Sequence, residues 1–385
     1  MNILFLARAT LYRVYGGDTV QIVSTAKYLR KLGIHVDIRL SNEQIDYRKY
    51  DLLHFFNIGR PGDILCHIKK SGLPYVVSTI FIDFSEYQRS NKGIRSTFSK
   101  YLSSDRIEYL KAIARWIKNG ESIQSREYIF LGHKKAVQKV AGNAAYILPN
   151  SESEHKRFVA HYDIRRPYKV VYNGIDPEIF SAPPSKYYLQ DTLQVLCVAR
   201  IEGNKNQLNL IKALNNTQFK LKLVGKPAPN HTRYYNECKK AAAGNVSFED
   251  FMPQEQLTEE YVSAKVHVLP SWNETCGLSS IEAAYHNCNI VITDKGDTVE
   301  YFGAKAWYCD PADPESIYKA IVAAAIAPVN IELREKINDT YNWERAATDT
   351  LIVYQQVLGE KVLKENNETQ EQKKDKNTEA IKVTF

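Results

Sequence analysis

The sequence lacks the motifs that mark several common kinds of site. Its six cysteines are scattered, with no Cys-x-x-Cys pair and no cluster of His and Cys, which argues against a zinc site. No apolar run reaches about eighteen residues, so no segment is predicted to span a membrane. There is no Asp-x-Asp pair, and no helix-turn-helix, zinc-finger or aromatic RNA-binding motif. Nucleic acid is therefore not an expected partner.

The cysteines and the N-terminus predict a cytoplasmic location. Cys197 and Cys288 lie in or beside apolar runs, as is typical of reduced core cysteines in a cytosolic protein. The apolar stretch 1–7 ends at Arg8 and is too short for the core of a signal peptide.

Length and composition predict a globular protein of two domains. The 385 residues are too many for one ordinary core, and 44% hydrophobic with 25% charged residues is a globular composition. Short apolar segments alternate with helical patterns, which predicts an α/β fold with parallel sheets covered on both faces. The predicted strands of the first domain are 2–7, 34–40, 51–56, 74–80, 144–149 and 168–172. Those of the second are 193–199, 220–224, 245–248, 266–269, 289–293 and 306–309.

Breaks in the pattern predict the domain limits. Pro183-Pro184-Ser185 is the predicted linker, because paired prolines interrupt regular structure. The predicted domains are 1–182 and 183–342, followed by an amphipathic helix over 343–360. Residues 361–385 are polar and predict a disordered tail.

Two glutamates eight positions apart, Glu274 and Glu282, are the most informative feature of the chain. An apolar strand precedes Glu274, and a helical pattern from Gly277 carries Glu282. A loop between a strand's carboxyl end and a helix's amino end is where α/β folds bind ligands, and free N–H groups there favour phosphate. One carboxylate is expected to accept hydrogen bonds from a sugar and the other from a ribose. The alternative is a solvated loop residue and an ordinary surface glutamate.

A matching pair of cations lies upstream. Arg200 follows a buried-strand run, and Lys205 precedes a helical pattern. An Arg fork and a Lys point charge at these places can bind one diphosphate. Taken alone, such a pair is usually solvated; a second strand–loop–helix unit downstream makes the interpretation specific.

Together these elements resemble the donor half of the family 4 (group 1) retaining glycosyltransferases, which have the GT-B fold. Arg200-x4-Lys205 and Glu274-x7-Glu282 carry the resemblance. Further stretches agree with it: Tyr15-Gly16-Gly17-Asp18, Tyr172-Asn173-Gly174-Ile175-Asp176 and Leu223-Val224-Gly225-Lys226. The resemblance covers about residues 1–360. It implies two Rossmann-like domains whose parallel sheets face each other across a cleft, with the last helix crossing back to the first domain.

The resemblance also implies an activity, a substrate and a set of site residues. The expected enzyme moves a sugar from a nucleoside diphosphate sugar to a glycan or lipid-linked acceptor in cell-surface polysaccharide synthesis, with retention and without a metal or cofactor. The expected catalytic residues are Arg200, Lys205 and Glu274. The expected donor-binding residues are Gly16, Gly17, Gly225, Phe251, Cys276, Gly277, Leu278, Ser279 and Glu282. Asp83 and Asn173 are expected to contact the acceptor or the sugar.

Two positions depart from the family pattern. Many relatives carry a histidine after the fourth strand that contacts the transferred sugar, but the stretch 78–87 has none. Asp83 is the nearest polar substitute there, although it could equally cap a following helix. Cys276 stands where relatives often have an aromatic residue. Both departures bear on the choice of sugar.

The positive charge is concentrated in one segment. Residues 88–145 hold twelve Lys or Arg and four Asp or Glu, a surplus of eight against +7 for the whole chain. Apolar residues at helical spacing lie among Arg106, Lys111, Arg115 and Lys118, around Trp116. Such a helix can lie on an anionic membrane, here the inner face of the plasma membrane. It fits equally well a surface helix whose apolar stripe packs on the sheet.

Two other function classes remain open from the sequence. A sugar-nucleotide epimerase of related two-domain fold needs carboxylates and histidines that converge on the sugar. His231, His267 and His286 could serve, but each is expected at the surface or at a helix end. The other class is a non-catalytic glycosyltransferase-like partner protein. The presence of both cations and both glutamates argues against it.

Overall fold

The chain folds into two α/β domains, each built on a parallel sheet. The computed structural model describes residues 1–82, 104–119, 125–180 and 191–359. Asp83, the predicted linker Pro183-Pro184-Ser185 and the predicted tail 361–385 lie outside these residues. The predicted α/β fold class is confirmed.

The first domain has a five-stranded sheet in the order β2-β1-β3-β4-β5, with every neighbouring pair parallel. Ile3 and Phe5 point to one core and Leu4 and Leu6 to the other, so both faces are covered. The strands are β1 (Asn2–Ala7), β2 (His35–Leu40), β3 (Leu52–Phe56), β4 (Tyr75–Ser78) and β5 (Tyr146–Leu148). The helices are α1 (Gly17–Lys31), α2 (Pro61–Ser71), α3 (Ser104–Asn119), α4 (Arg126–Gly142) and α5 (Glu152–Tyr162).

The second domain has a six-stranded parallel sheet in the order β11-β10-β9-β6-β7-β8. Its strands are β6 (Asp191–Val198), β7 (Lys220–Val224), β8 (Val246–Glu249), β9 (Ala264–Leu269), β10 (Asn289–Thr293) and β11 (Trp307–Cys309). Its helices are α6 (Pro177–Phe180), α7 (Gln207–Leu214), α8 (Thr232–Ala241), α9 (Gln254–Ser263), α10 (Leu278–Tyr285), α11 (Thr298–Phe302), α12 (Pro314–Ile326) and α13 (Ile331–Thr340).

One predicted strand, 168–172, is wrong as a regular strand. The segment runs beside β5, where Lys169 N–H donates to the Ile147 carbonyl at 3.1 Å and Val171 N–H to the Pro149 carbonyl at 2.9 Å. Only an isolated bridge between Ile147 and Tyr168 forms. Because β5 has only three residues, it offers too short an edge for a further strand.

The chain crosses between the domains twice, and the two crossings run side by side. Ile175 N–H donates to the Tyr341 carbonyl at 2.9 Å, and Trp343 N–H to the Ile175 carbonyl at 3.1 Å. A Cβ on Gly174 would lie 2.3 Å from the Asn342 nitrogen, so only glycine fits between them. Ile175 and Phe180 already belong to the second-domain core, and the chain therefore enters that domain before the predicted linker.

After the second crossing, helix α14 (residues 343–359) packs on the first domain. Trp343 and Tyr354 are buried in the core formed by β1 and α1. The Tyr354 hydroxyl contacts His54 Nδ1 at 2.6 Å, and burial lowers the pKa of His54 to about 3. The C-terminal helix is thus part of the first-domain core.

No single helix in the described ranges is both long and apolar enough to span a bilayer. Helices α12 and α13 meet such a test only when counted together, and they are bent by 99° where they join.

The paired crossings generate a stability prediction. Gly174→Ala should lower the melting temperature, because the new Cβ forces the two crossings apart, as overpacking does at a cost of about 1–3 kcal/mol. Differential scanning calorimetry against Gly244→Ala measures the effect, since a Cβ on Gly244 meets nothing within 4 Å. Equal melting temperatures for the two variants would contradict the tight crossing.

Candidate active site between the two domains

The topology of the second sheet places the candidate site. Strand order reverses between β6 and β9, so the loops that follow these two strands leave in different directions. Such a switch point opens a crevice at the carboxyl ends of the strands, where ligands of doubly wound sheets bind. Arg200 and Lys205 follow β6, and Glu274 follows β9.

The loop after β6 is fixed by Asn206. This residue adopts a left-handed conformation (φ 61°) at the turn between Lys205 and α7. Its side-chain amide donates to the Pro270 carbonyl at 3.0 Å and to the Pro311 carbonyl at 2.7 Å. The loop that carries the two cations is therefore tied to the loop that carries Glu274.

Lys205 and Glu274 form an ion pair, with Nζ and Oε2 2.5 Å apart. Their side chains are 19% and 9% exposed, so the pair is largely removed from water. The Ser271 hydroxyl donates to the same Glu274 oxygen at 3.0 Å. An ammonium has three donors, and Glu274 takes one of them. The remaining donors are available to an anionic group.

Glu274 is positioned by the loop that follows β10. Its N–H donates to the Lys295 carbonyl at 3.1 Å, and its carbonyl accepts from Asp297 N–H at 3.0 Å. Gly296 has φ 97°, and a Cβ there would lie 1.9 Å from the Glu274 carbonyl oxygen. Only glycine allows these two backbones to approach so closely.

Helix α10 points its N-terminus at the same crevice. Gly277 precedes it in a left-handed conformation (φ 64°), and the Gly277 carbonyl accepts from Ser280 and Ile281 N–H. The N–H groups of Leu278 and Ser279, in the first turn, have no intrahelical partner. A helix N-terminus with such groups favours an anion, as the sequence predicts for a phosphate.

The glycine loop of the first domain faces the second domain. A Cβ on Gly16 would lie 3.8 Å from the Arg200 guanidinium carbon, and one on Gly17 would lie 3.5 Å from Leu278 Cδ1. The Tyr15 ring meets the Phe251 ring edge to face, with centroids 5.9 Å apart. Arg200 is 39% exposed and contacts Glu202 at 3.3 Å. The glycine pair thus lies beside Arg200 and the start of α10.

Arg8 holds the glycine loop in shape, a role that sequence reasoning missed. Its guanidinium pairs with Asp18 at 2.6 and 3.0 Å and donates to the carbonyls of Thr10 and Val14. An arginine at the end of the first strand and an aspartate after Gly-Gly are the only signals in the sequence.

Three further predicted residues are packed against other parts of the protein rather than exposed in the crevice. A Cβ on Gly225 would lie 2.1 Å from the Ala199 carbonyl oxygen, so this glycine allows the ends of β6 and β7 to approach. Asn173 is buried, and its amide contacts Cys276 Sγ at 3.6 Å. Burial raises the pKa of the Cys276 thiol to about 12.

Glu282 lies in the second turn of α10 and has two partners within the second domain. Its carboxylate accepts from the Tyr261 hydroxyl at 2.8 Å and from the Gln254 amide at 2.5 Å. The contact with a ribose stays a prediction. Burial raises the pKa of Glu282 to about 7, against the lowering effect of these two hydrogen bonds. Burial and then the nearby Glu282 carboxyl raise the pKa of Tyr15.

Of the three histidines considered for an epimerase, His231 and His286 lie at helix ends as predicted, whereas His267 does not. His267 was expected at the surface or a helix end, but it is fully buried in β9 and contacts the Ser280 hydroxyl at 3.2 Å. Burial lowers its pKa to about 3 and that of His286 to about 4. His267 faces the core because continuous burial on both sheet faces leaves no exposed side of β9.

Among the described residues, no group of three or more His, Cys, Asp or Glu side chains could hold a metal ion. The charged groups of the crevice are instead Arg200, Lys205 and Glu274.

Comparison with known proteins confirms the family resemblance. Residues 185–340 match the model of the family described as glycosyl transferases group 1. A curated relative, the N-acetylgalactosamine-N,N'-diacetylbacillosaminyl-diphospho-undecaprenol 4-alpha-N-acetylgalactosaminyltransferase of Campylobacter jejuni, is 24% identical over 230 residues. This match covers 56% of the chain and 60% of the relative, less than two thirds of its length.

Solved structures confirm the GT-B fold. The sucrose-phosphate synthase of Thermosynechococcus elongatus superposes with a TM-score of 0.69 at 15% identity, over 93% of this chain and 99% of the other. HepE of Anabaena, solved with UDP and glucose, superposes with a TM-score of 0.62 at 16% identity, over 93% of this chain and 98% of the other.

The buried Glu282 generates a prediction about pH. In the folded chain the Glu282 carboxyl stays protonated up to about pH 7, because burial raises its pKa to about 7. In the unfolded chain it loses its proton in the ordinary glutamate range. The free energy of unfolding should therefore fall as pH rises through this window, by about 1.4 kcal/mol per pH unit. Glu282→Gln removes the titration.

Melting temperatures of wild type and Glu282→Gln at pH 5 and pH 8 measure this effect. The melting temperature of the variant minus that of wild type should be larger at pH 8 than at pH 5. A difference between the two proteins that does not change with pH would contradict the buried, protonated Glu282.

Proposed function

We propose that this protein is a glycosyltransferase that moves a sugar from a nucleoside diphosphate sugar to a glycan or lipid-linked acceptor in cell-surface polysaccharide synthesis. One observation carries the proposal. The Lys205–Glu274 pair, Arg200 and the N-terminus of α10 lie at the switch point of the second domain and face Gly16 and Gly17 of the first. The Campylobacter relative is named for a diphospho-undecaprenol acceptor, which supports a lipid-linked acceptor.

In the proposed site the two cations bind the diphosphate. Arg200 is partly exposed in the crevice, and Lys205 holds Glu274 with one donor and keeps the others for a phosphate oxygen. The first-turn N–H groups of α10 bind the distal phosphate. Glu274, fixed by Lys205 and by Gly296, accepts hydrogen bonds from the sugar hydroxyls.

The proposed reaction is a front-face displacement with retention, without a metal. The bond from the anomeric carbon to the diphosphate oxygen breaks, and a bond to the acceptor oxygen forms on the same face. The acceptor proton passes to the leaving phosphate. Arg200 and Lys205 stabilise the charge that grows on the diphosphate, an effect of about 3–4 kcal/mol for one well-placed donor.

The two cations generate a kinetic prediction. Arg200→Ala and Lys205→Ala should each lower turnover far more than they raise the donor KM, because leaving-group charge develops in the transition state. We expect a loss of about 100-fold or more in kcat for each. Lys212→Ala, an exposed lysine of the same domain, is the control.

Steady-state kinetics with the natural donor distinguish an effect on kcat from an effect on the donor KM. Unchanged turnover with weaker donor binding would assign both cations to ground-state binding. If the kinetics of both variants equal those of Lys212→Ala, neither Arg200 nor Lys205 belongs to the site.

We further propose that the first domain binds the surface of an anionic membrane through α3 and α4. Three large apolar side chains are exposed among those that the structure describes on these helices: Phe130 by 88%, Leu110 by 53% and Ile129 by 37%. The Tyr109 hydroxyl donates to the Ile129 carbonyl at 2.9 Å, so the two helices lie together. Gly132 breaks the helical path of α4 (φ 71°, ψ 176°) directly after the turn that carries Phe130.

Exposed cations flank this apolar group. Arg126 precedes Phe130 on α4, and Lys134 and Lys135 follow it. An exposed aromatic ring among basic residues suits the headgroup region of an anionic bilayer. A membrane-bound acceptor would then meet the cleft from the first-domain side.

Liposome binding tests this surface. Phe130→Ser should weaken binding to anionic vesicles, and Lys134→Gln with Lys135→Gln should weaken it by about 1 kcal/mol per charge. Binding should fall as salt rises, since charges are screened beyond about 8 Å at physiological ionic strength. Ile326→Ser, an 83% exposed isoleucine of the second domain, is the control. Binding that ignores salt and these substitutions would contradict the proposal.

A further inference from the structure

Helix α5 contacts a loop on each side of the cleft. It begins after β5 with Ser151 as its N-cap, whose hydroxyl accepts from Glu154 N–H at 2.8 Å. The helix belongs to the first domain, but its N-terminal turn lies against the second. Two of its side chains, Glu154 and Arg157, reach loops of different domains.

The N-terminus of α5 is held by Glu300 of the second domain. The Glu300 carboxylate accepts from Glu152 N–H at 2.8 Å, from Ser153 N–H at 2.9 Å and from the Ser153 hydroxyl at 2.5 Å. The Tyr172 hydroxyl, beside the first crossing, donates to it at 2.7 Å. A carboxylate on the unpaired N–H groups of a helix also interacts favourably with the helix dipole. The position of α5 relative to the second domain is therefore defined.

Arg157, one turn further along α5, supports the loop that positions Glu274. Its Nη2 pairs with Asp297 Oδ1 at 2.6 Å, and its Nη1 donates to the Gly296 carbonyl at 3.3 Å. The Asp297 side chain is 0% exposed, so this carboxylate depends on Arg157 for a countercharge. Asp297 N–H in turn donates to the Glu274 carbonyl at 3.0 Å. A first-domain arginine thus holds the backbone next to the proposed sugar-binding glutamate.

Glu154 holds the loop after β4, on the acceptor side of the cleft. It is fully buried, and one of its oxygens accepts from the Thr79 hydroxyl and from Phe81 N–H, the latter at 2.8 Å. Its other oxygen accepts from Asn150 N–H at 2.8 Å. Between the first two partners lies Ile80, with φ 46°. A β-branched residue rarely adopts this conformation, and such strain persists where the surroundings impose it.

We propose that α5 sets the position of the acceptor-side loop 79–82 relative to the donor-side loop of Glu274, with Glu154 and Arg157 as its two positioning residues. The proposal rests on the proposed function for its catalytic consequence. Glu154 and Arg157 lie three positions apart, on one side of the helix. One rigid element therefore fixes both loops, which otherwise belong to separate domains.

The geometry gives each residue a different expected effect. Without Arg157, Asp297 becomes a buried carboxylate without its countercharge, and the 295–297 segment that fixes Glu274 shifts. Without the Glu154 carboxylate, Ile80 relaxes and the acceptor-side loop moves. Small misplacements of reacting groups cost up to about 100-fold in rate.

Steady-state kinetics of three variants and two controls test the proposal. Arg157→Gln should lower kcat about 10- to 100-fold with little change in acceptor KM, and Arg157→Lys should restore part of it by keeping the charge. Glu154→Gln should raise the acceptor KM about tenfold or more while the donor KM stays within about twofold. The matched controls are Lys156→Gln and Glu152→Gln, side chains of the same helix that contact neither loop in the described structure.

Hydrogen exchange of the same variants gives a readout that needs no activity. Arg157→Gln should speed amide exchange in residues 270–278 and 295–297. Glu154→Gln should speed it in residues 79–82. Neither control variant should change exchange in these segments. Kinetics and exchange equal to the controls in folded variants would overturn the role of α5. If the wild-type protein transfers no sugar but the exchange differences are still seen, the proposed function would be contradicted and the role of α5 would not.

Discussion

The Lys205 ammonium and the Glu274 carboxylate, 2.5 Å apart, join the loops that follow β6 and β9. Since both groups are largely buried, each depends on the other: removal of one would leave an uncompensated charge. The surrounding backbone serves this pair. Asn206 ties its loop to Pro270, and Gly296 brings the next loop against the Glu274 carbonyl. The pair therefore defines both the shape of the crevice and its charge.

The second constraint is the relation between the domains. Two crossings lie side by side at Gly174, and α14 returns to the first-domain core. Near them, Glu300 and Asp297 of the second domain contact helix α5 of the first. The segment that carries Asp297 also fixes Glu274. Domain arrangement and site geometry are thus held by neighbouring residues of one loop and one helix.

Sequence reasoning predicted the fold correctly because buried parallel strands leave continuous apolar runs. It placed Arg200, Lys205 and Glu274 in loops at the ends of strands because each follows such a run. It failed where the decisive partner is distant in sequence. Nothing near Glu282 shows that Tyr261 and Gln254 bind its carboxylate, and nothing near His267 shows that both faces of β9 are covered. The segment 168–172 has strand composition, but the short β5 limits its pairing. Arg8, Glu154 and Arg157 act through backbone contacts across 6 to 139 positions, which leave no local pattern.

Binding of a nucleoside diphosphate sugar tests the central claim most directly. A thermal-shift screen of UDP-, GDP- and ADP-sugars, with wild type and Arg200→Ala side by side, separates the outcomes. One class of base should raise the wild-type melting temperature, since a ligand at a hundred times its Kd stabilises by about 2.7 kcal/mol. The shift should shrink in Arg200→Ala. The account would be contradicted if the wild-type protein is folded and its melting temperature does not change with any nucleoside diphosphate or nucleoside diphosphate sugar.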